Sequence, residues 1–542
     1  MHRRPTNEPS VNVASVLPAD WDKVNDVLLI VGEDGGAISA PFVEYGLQRV
    51  IVMFPRPLVP EPVAKGAQSI TTRAELSRYL QLLKGEHAGR FALLRTPRCS
   101  IPVPDTDSLH ALTASLLKRQ KANEHIHAGL APLWAANGLQ NLAMLGGIPM
   151  VTDMGDALAG QPVIIVGAGP SLAKNIHTLR AAQDKAIIIC VARALRSLHN
   201  AGIAPDFVIS LDPYDVLSLF RDVDLKSIPS VLISATSNPN LFSLPDTTLM
   251  SLSGNTEAEG WMFEPEDGLV EMPSGGSVSC TAMSVALQWG CSPIILVGQD
   301  LSFPGGNFYH ADGADGDTTA TFDPETKSWV LEGYSDDLAH TLRDRIDKVG
   351  LRFSATEVPG YFGGMVPTNP AFASFRTWFE FVAADHSGIT PMYNCTEGGT
   401  HISGMQHVPL TDAVAAMPRR TVEIERLIQQ LKTSPNLAKR ESTMRAKKAR
   451  IESSITEAIE IASDCIALIK RSKRNPAILG QLRPLEVRLS AAMKQAFVLN
   501  LLAQGDIRDA LAEGQQAQTM AASLAATQKL YQVIVDHGSR LL

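Results

Sequence analysis

Three features of the sequence predict an α/β protein built on a Rossmann-like, mostly parallel sheet. Short, nearly continuous apolar runs recur through the middle of the chain: Val163–Val166, Ala186–Ala192, Asp206–Asp212, Ser230–Thr236 and Pro293–Asp300. Runs of this kind suit strands covered on both faces, as in parallel sheets. Segments of helical periodicity separate several of them. The first run leads directly into Gly167-Ala168-Gly169-Pro170-Ser171 and then a helical pattern from Leu172, which reads as strand, tight turn and helix.

Four of the five residues of that turn have a physical use. Gly167 and Gly169 allow a sharp turn and a close approach of backbone. Pro170 suits a first helical turn, where its missing N–H costs nothing. Ser171 brings a hydroxyl to a helix start, whose free N–H groups and dipole attract phosphate. Leu172 stands where a dinucleotide fingerprint has its third glycine, and no G-K-[ST] follows, so neither a dinucleotide site nor a P-loop is predicted.

A chain of 542 residues with 45% hydrophobic and 19% charged residues is globular and long enough for three domains. A net charge of −8 argues against a general nucleic-acid binder. The sequence has no membrane-length apolar run and no secretory h-region, so a cytoplasmic location is expected. The six cysteines are scattered without a C-x-x-C pair, and reduced thiols are expected rather than a disulfide or zinc framework.

The order of segments gives the expected domains. Residues 1–20 are expected to be disordered. Residues 21–106 read as a small α/β domain, with strands at Asp26–Gly32, Arg49–Phe54 and Phe91–Arg95 and a helix over Pro41–Gln48. Residues 107–150 read as a helical connector, 151–410 as the central α/β domain that carries the candidate site, and 411–542 as a helical bundle. In the bundle Ile451, Ile455, Ile459, Ala462, Ile466 and Ile469 form one apolar stripe at three- and four-residue spacing. Packing or self-association through these helices is expected of that stripe.

In parallel sheets, ligands bind beyond the carboxyl ends of strands. Asp212, Gln299 and Asp300 lie at such ends, with the turn at 167–171. Ser274-Gly275-Gly276-Ser277 opens a second helix and makes a second candidate phosphate site. Two long polar segments follow, Phe303–Asp317 and Cys395–Gly404, of the kind that carries function on a rigid sheet. Asp212 is a candidate to bind ribose hydroxyls or, with Asp215 near, a divalent ion.

These stretches resemble a known family. IIVGAGPSL, then GIAPDFVISLDP, GGSVSCTAMSVALQWGCSPIILVGQDLSF and NCTEGGTHISG are similar to the motility-associated factor (Maf) family of bacterial flagellin glycosyltransferases, over most of residues 110–410. The core is also similar to bacterial lipooligosaccharide sialyltransferases and to an archaeal hydroxymethylpterin diphosphokinase. The resemblance implies a sialyltransferase-like, GT-A-variant fold. It implies transfer of a nonulosonic acid, of pseudaminic or legionaminic type, from a CMP-activated donor to Ser or Thr of flagellin. Flagellum assembly and motility would depend on that step, and the resemblance implies that no cofactor and no metal ion would be required.

Residue by residue, the resemblance gives nucleotide and phosphate contacts to Gly167, Gly169, Pro170, Ser171, Ser274, Gly275, Gly276 and Ser277. Ala168 departs from the sialyltransferase pattern, which has Asn there. His310 is the expected general base, since histidine titrates near neutral pH; Asp300 is the alternative base or the group orienting it, and His401 is a third candidate. Gln299, Thr368, Thr396, Glu397, Gly398, Gly399 and His401 are candidates for donor-sugar or acceptor contacts. Two other functions compete: a pterin diphosphokinase-like pyrophosphoryl transfer, which would use ATP and magnesium, and a non-catalytic flagellin-binding role.

Overall fold

The computed structural model describes residues 13–18, 20–54, 62–71, 75, 76, 80, 90–103, 106, 109, 110, 113, 130–252, 259, 262, 272, 275–335, 346, 347 and 350–542. The chain divides into two compact units. One takes the described residues up to 113 with 373–389 and 402–405; the other takes the described residues of 128–372, 390–401 and 406–542. Most of the stretch 1–20, expected to be disordered, lies outside the described residues, and Val13–Val16 within it forms one helical turn.

The first unit holds a parallel sheet of β1 (Val27–Val31), β2 (Val50–Met53), β3 (Ala67–Ile70) and β4 (Phe91–Arg95), in the order β3–β2–β1–β4. The helix expected over 41–48 instead runs over Gly35–Glu44 (α1). It starts directly after β1, so that Ile38 and Phe42, one turn apart, face the core with Val50 and Val52. Gly46, at φ +99°, then turns the chain out of the helix.

The second unit is organised by eight parallel strands. β5 (Val163–Val166), β6 (Ile187–Val191), β7 (Phe207–Ser210), β8 (Ser230–Ser234) and β9 (Thr248–Leu252) follow one another to one side. β10 (Ile294–Val297) returns to the other side of β5. Between β10 and the last two strands the chain makes an antiparallel sheet from β11 (Thr319–Asp323), β12 (Ser328–Glu332), β13 (Ile346–Asp347) and β14 (Gly350–Ser354), then a hairpin from β15 (Thr356–Pro359) and β16 (Met365–Thr368). β17 (Met392–Asn394) and β18 (Gln406–His407) complete the large sheet, whose order is β18–β17–β10–β5–β6–β7–β8–β9. Every residue of β5, β6, β7, β8 and β10 is buried, as their apolar runs predict. The order reverses between β5 and β10, and such a reversal opens a crevice at the carboxyl ends of the two strands.

Three helices flank this crevice: α2 (Leu172–Ala182) after β5, α3 (Ala192–Asn200) after β6, and α4 (Val278–Gln288) before β10. The helix over residues 130–145 braces the neighbouring strand ends. Its Asn137 Nδ2 donates to the carbonyls of Pro213 (2.8 Å) and Thr236 (3.2 Å), and Asn141 Nδ2 to those of Ala235 (3.0 Å) and Ser237 (2.8 Å).

Beyond α5 (Pro370–Asp385) come α6 (Leu410–Ala415), α7 (Ile424–Lys432), α8 (Pro435–Ser472), α9 (Leu482–Gln495), α10 (Phe497–Gln516) and α11 (Met520–Leu541). The predicted stripe of α8 is buried at Ile451, Ile455, Ala462, Ile466 and Ile469, with Ile459 partly buried. Gly538 of α11 makes room for it, since a Cβ there would lie 2.7 Å from Ile459 Cγ1. All six cysteines are unbridged. Among the described residues no helix is long and apolar enough to cross a membrane.

Candidate active site at the switch point

Three small-residue turns interlock where β5 and β10 end. The Gly167 N–H donates to the Val297 carbonyl (2.8 Å) and the Gly169 N–H to that of Gly298 (2.9 Å). A Cβ on Gly167 would lie 2.3 Å from Gln299 Nε2, and one on Gly169 2.1 Å from Asp300 Oδ2. Both glycines are therefore required by close packing between two turns. The third turn follows β17. Its Thr396 hydroxyl accepts from the Gln299 N–H (3.1 Å). A Cβ on Gly398 would lie 2.0 Å from Ser171 Oγ, and one on Gly399, at φ +69°, 2.2 Å from the Asp300 carbonyl oxygen.

Asp300 is the centre of this interlock. It is 2% exposed, and its two carboxylate oxygens accept from the Ser171 N–H at 3.1 and 3.3 Å. Burial pushes its pKa up to about 6, opposed by the hydrogen bonds from Ser171 and the charge of Lys174. A helix start normally presents orphan N–H groups; here the Ser171 N–H is met from inside the protein. The Ala168 N–H has no partner among the described residues, while the Ala168 carbonyl accepts the His310 N–H at 2.9 Å.

The second helix start reaches the same place. Ser277 caps α4 by accepting the Cys280 N–H (3.2 Å), and Ser279 in the first turn accepts Gln299 Nε2–H (2.7 Å). Gln299 thus joins the two helix starts. Gly275 is buried and Gly276 exposed at φ +87°; Ser274 lies outside the described residues.

A second group of side chains lies past the ends of β6 and β7. Arg193, in the first turn of α3, pairs with Asp315, whose side chain is 2% exposed. It also lies 5.6 Å from the centre of the Tyr309 ring. Asp212 is half-buried, and no described residue hydrogen-bonds its carboxylate. Burial raises its pKa, and the nearby Arg193 charge opposes that rise. Burial likewise raises the Tyr309 phenol, with Arg193 opposing and Asp315 and Asp212 adding to the rise.

His310 belongs to the loop between these groups and is 4% exposed. Its Nδ1 accepts the Asp312 N–H at 3.2 Å. Burial lowers its pKa, against the pull of Asp312. The ring is therefore neutral near pH 7, with its one proton on Nε2.

Other sequence candidates have internal partners. Glu397, at φ +56°, accepts the Leu410 N–H with Oε1 (3.0 Å) at the start of α6, and its carbonyl accepts Lys174 Nζ (2.6 Å). Thr368 is fully buried and donates to the Leu301 carbonyl (2.7 Å). His401 stacks on His407 at 4.2 Å between ring centres. Asp215 accepts from the Leu217 N–H (3.0 Å) and Asn240 Nδ2 (2.7 Å). Among the described residues no three His, Cys, Asp or Glu side chains are grouped to hold a metal ion.

Sequence reasoning missed Arg193, Tyr309 and Asp315. The strand-end rule, applied to Ala186–Ala192, points at Arg193 as the first charged residue beyond that strand. Tyr309 and Asp315 carried no comparable signal, because their placement depends on how the polar loop folds back over α3.

Residues 136–306 match the family model of 6-hydroxymethylpterin diphosphokinase MptE-like proteins. The matched segment contains β5 to β10 and so the turns that follow those two strands. An uncharacterized protein of Treponema pallidum (strain Nichols) is 32% identical over 106 residues, which is 19% of this chain and 48% of that protein. The match therefore spans about half the length of that curated relative. The solved structure of the MAf glycosyltransferase from Magnetospirillum magneticum AMB-1 is similar with a TM-score of 0.42 and 15% identity, over 96% of this chain and 78% of that one.

Proposed function

We propose that this chain is a glycosyltransferase that moves a nonulosonic acid of pseudaminic or legionaminic type from a CMP-activated donor to Ser or Thr hydroxyls of flagellin, in the cytoplasm and in support of flagellum assembly and motility. One observation carries the proposal. The stretches of sequence that resemble glycosyltransferases, at 167–171, 275–279, 299–300 and 396–399, converge on one crevice at the switch point. In that crevice the leaving phosphate of CMP would meet the start of α4, the Ala168 N–H and the Arg193 charge, all suited to growing negative charge. No resident cofactor is required by this chemistry. The C-terminal helices are proposed to carry flagellin contacts or self-association.

The MptE-like match over 136–306 favours a second reading, pyrophosphoryl transfer to a pterin from ATP and magnesium. A magnesium ion prefers several carboxylate and phosphate oxygens. Asp212 offers one carboxylate, while Asp215 and Asp315 are held by Asn240 and Arg193, so the donor set fits that ion poorly. Calorimetry separates the two readings. Binding of CMP without a metal, weakened by Ser277→Ala, supports glycosyl transfer. Magnesium-dependent binding of ATP that is lost in Asp212→Asn, with no CMP binding, refutes it.

A further inference from the structure

On the glycosyl-transfer reading, we propose that His310 serves as a hydrogen-bond donor to the departing phosphate, through Nε2–H, and that Asp212 takes the proton of the attacking hydroxyl. An amide N–H can only donate. The Asp312 N–H at His310 Nδ1 therefore fixes Nδ1 as the lone-pair nitrogen and leaves the proton on Nε2. Nε2 carries no hydrogen bond to any described residue. A base role at Nδ1 would require the Asp312 amide to move away, and its loop is pinned. Arg193 pairs with Asp315, Asn200 Nδ2 donates to the Asp312 carbonyl (3.4 Å), and Gly313 packs so closely that a Cβ there would lie 2.8 Å from Ser197 Oγ.

The proton of the acceptor then needs another destination. Asp300 is closed off: both oxygens hold the Ser171 N–H, and Gly169, Gly398 and Gly399 cover it. Glu259 is buried at the end of β8 against the Ser234 and Thr236 hydroxyls, and Glu397 holds the Leu410 amide. Asp212 lies at a strand end with a carboxylate that no described residue hydrogen-bonds, next to Arg193 and Tyr309. In the step, the acceptor oxygen bonds to the sugar's anomeric carbon as the bond from that carbon to the phosphate oxygen breaks. CMP leaves with the bonding electrons, the hydroxyl proton passes to Asp212, and His310 keeps its own.

Two measurements test this. Nitrogen-15 NMR of the full chain with labelled histidine reads the tautomer directly, and loss of one signal set in His310→Gln assigns it. A proton on Nε2 is expected; a proton on Nδ1 overturns the proposal whether or not the protein turns over a CMP-sugar. Turnover of a CMP-nonulosonate is the second. His310→Gln keeps an N–H near the Nε2 position and should stay within about tenfold of wild type, while His310→Ala falls about 10²–10³-fold. Asp212→Asn should fall about 10²–10⁴-fold in kcat. Equal losses in His310→Gln and His310→Ala, both with wild-type melting curves, overturn the donor role, and normal turnover in Asp212→Asn overturns the base. Absence of turnover in the wild-type chain counts against the glycosyl-transfer reading instead, and the NMR result still decides the tautomer.

Discussion

Replacing Asp300 by Asn should make the protein's stability less dependent on pH, with a sign that the structure dictates. The Asp300 carboxyl has a pKa of about 6 in the fold, against an ordinary value of 3.8. Burial thus favours the protonated form. The stabilising contribution of that form is complete below the unfolded value and is lost as pH rises through the folded one. A difference of roughly two pKa units corresponds to about 3 kcal/mol. The amide introduced by Asp300→Asn carries no charge, and its oxygen can still accept the Ser171 N–H. Any cost of the extra amide protons is independent of pH. Urea unfolding of both proteins at pH 4, 5, 6, 7 and 8, followed by circular dichroism, measures the difference. Relative to wild type, the variant should gain about 2.5 kcal/mol between pH 4 and pH 8, most of it before pH 7. A difference that stays flat across that range, or that moves against the variant, would refute the placement of Asp300 as a buried carboxyl strained by its own charge.

Three further outcomes follow from named contacts. Gly399→Ala and Gly363→Ala both put a side chain at positive φ, a cost of about 1–2 kcal/mol, but only the first forces a Cβ against the Asp300 backbone while the second meets open space. Gly399→Ala should therefore melt lower than Gly363→Ala by a further 1–3 kcal/mol or so, and equal melting temperatures would contradict the interlock. Arg193→Ala strands the Asp315 carboxylate and should cost about 3–5 kcal/mol, part of which returns in Arg193→Ala/Asp315→Ala; a urea double-mutant cycle reads this, and an additive result removes the pairing. Ser277→Ala removes the cap of α4 and should cost about 1 kcal/mol, seen as a lower melting temperature together with weaker CMP binding by calorimetry.

Much of the fold was legible because buried parallel strands write themselves as apolar runs. All five central runs became strands, and the residues past them became the crevice. The stripe of α8 was legible for the same reason, since one face of a helix must be apolar to pack. The helix over Gly35–Glu44 was misplaced because its Gly-Gly start looked like a loop, and only the burial of Ile38 and Phe42 defines its register. The strands after residue 303 left little signal. β17 and β18 are three and two residues long, too short for a period to show.

The candidate site divides in the same way. The sequence alone determined the small residues of the three turns, the strand ends that carry Asp212, Gln299 and Asp300, and the acidic character of the chain. Tertiary structure decided what these residues do. Ser171, Asp300, Gly398 and Gly399 lie far apart in the chain and become one packed unit only when β10 and β17 return beside β5. The same return turns Asp300 inward, and it folds the loop of residues 309–315 over α3, where Arg193 meets Asp315 and His310 receives the Asp312 amide. Local sequence fixes which backbone shapes and charges are on offer. Which amide meets which carboxylate is set by strand order, a property of the whole sheet.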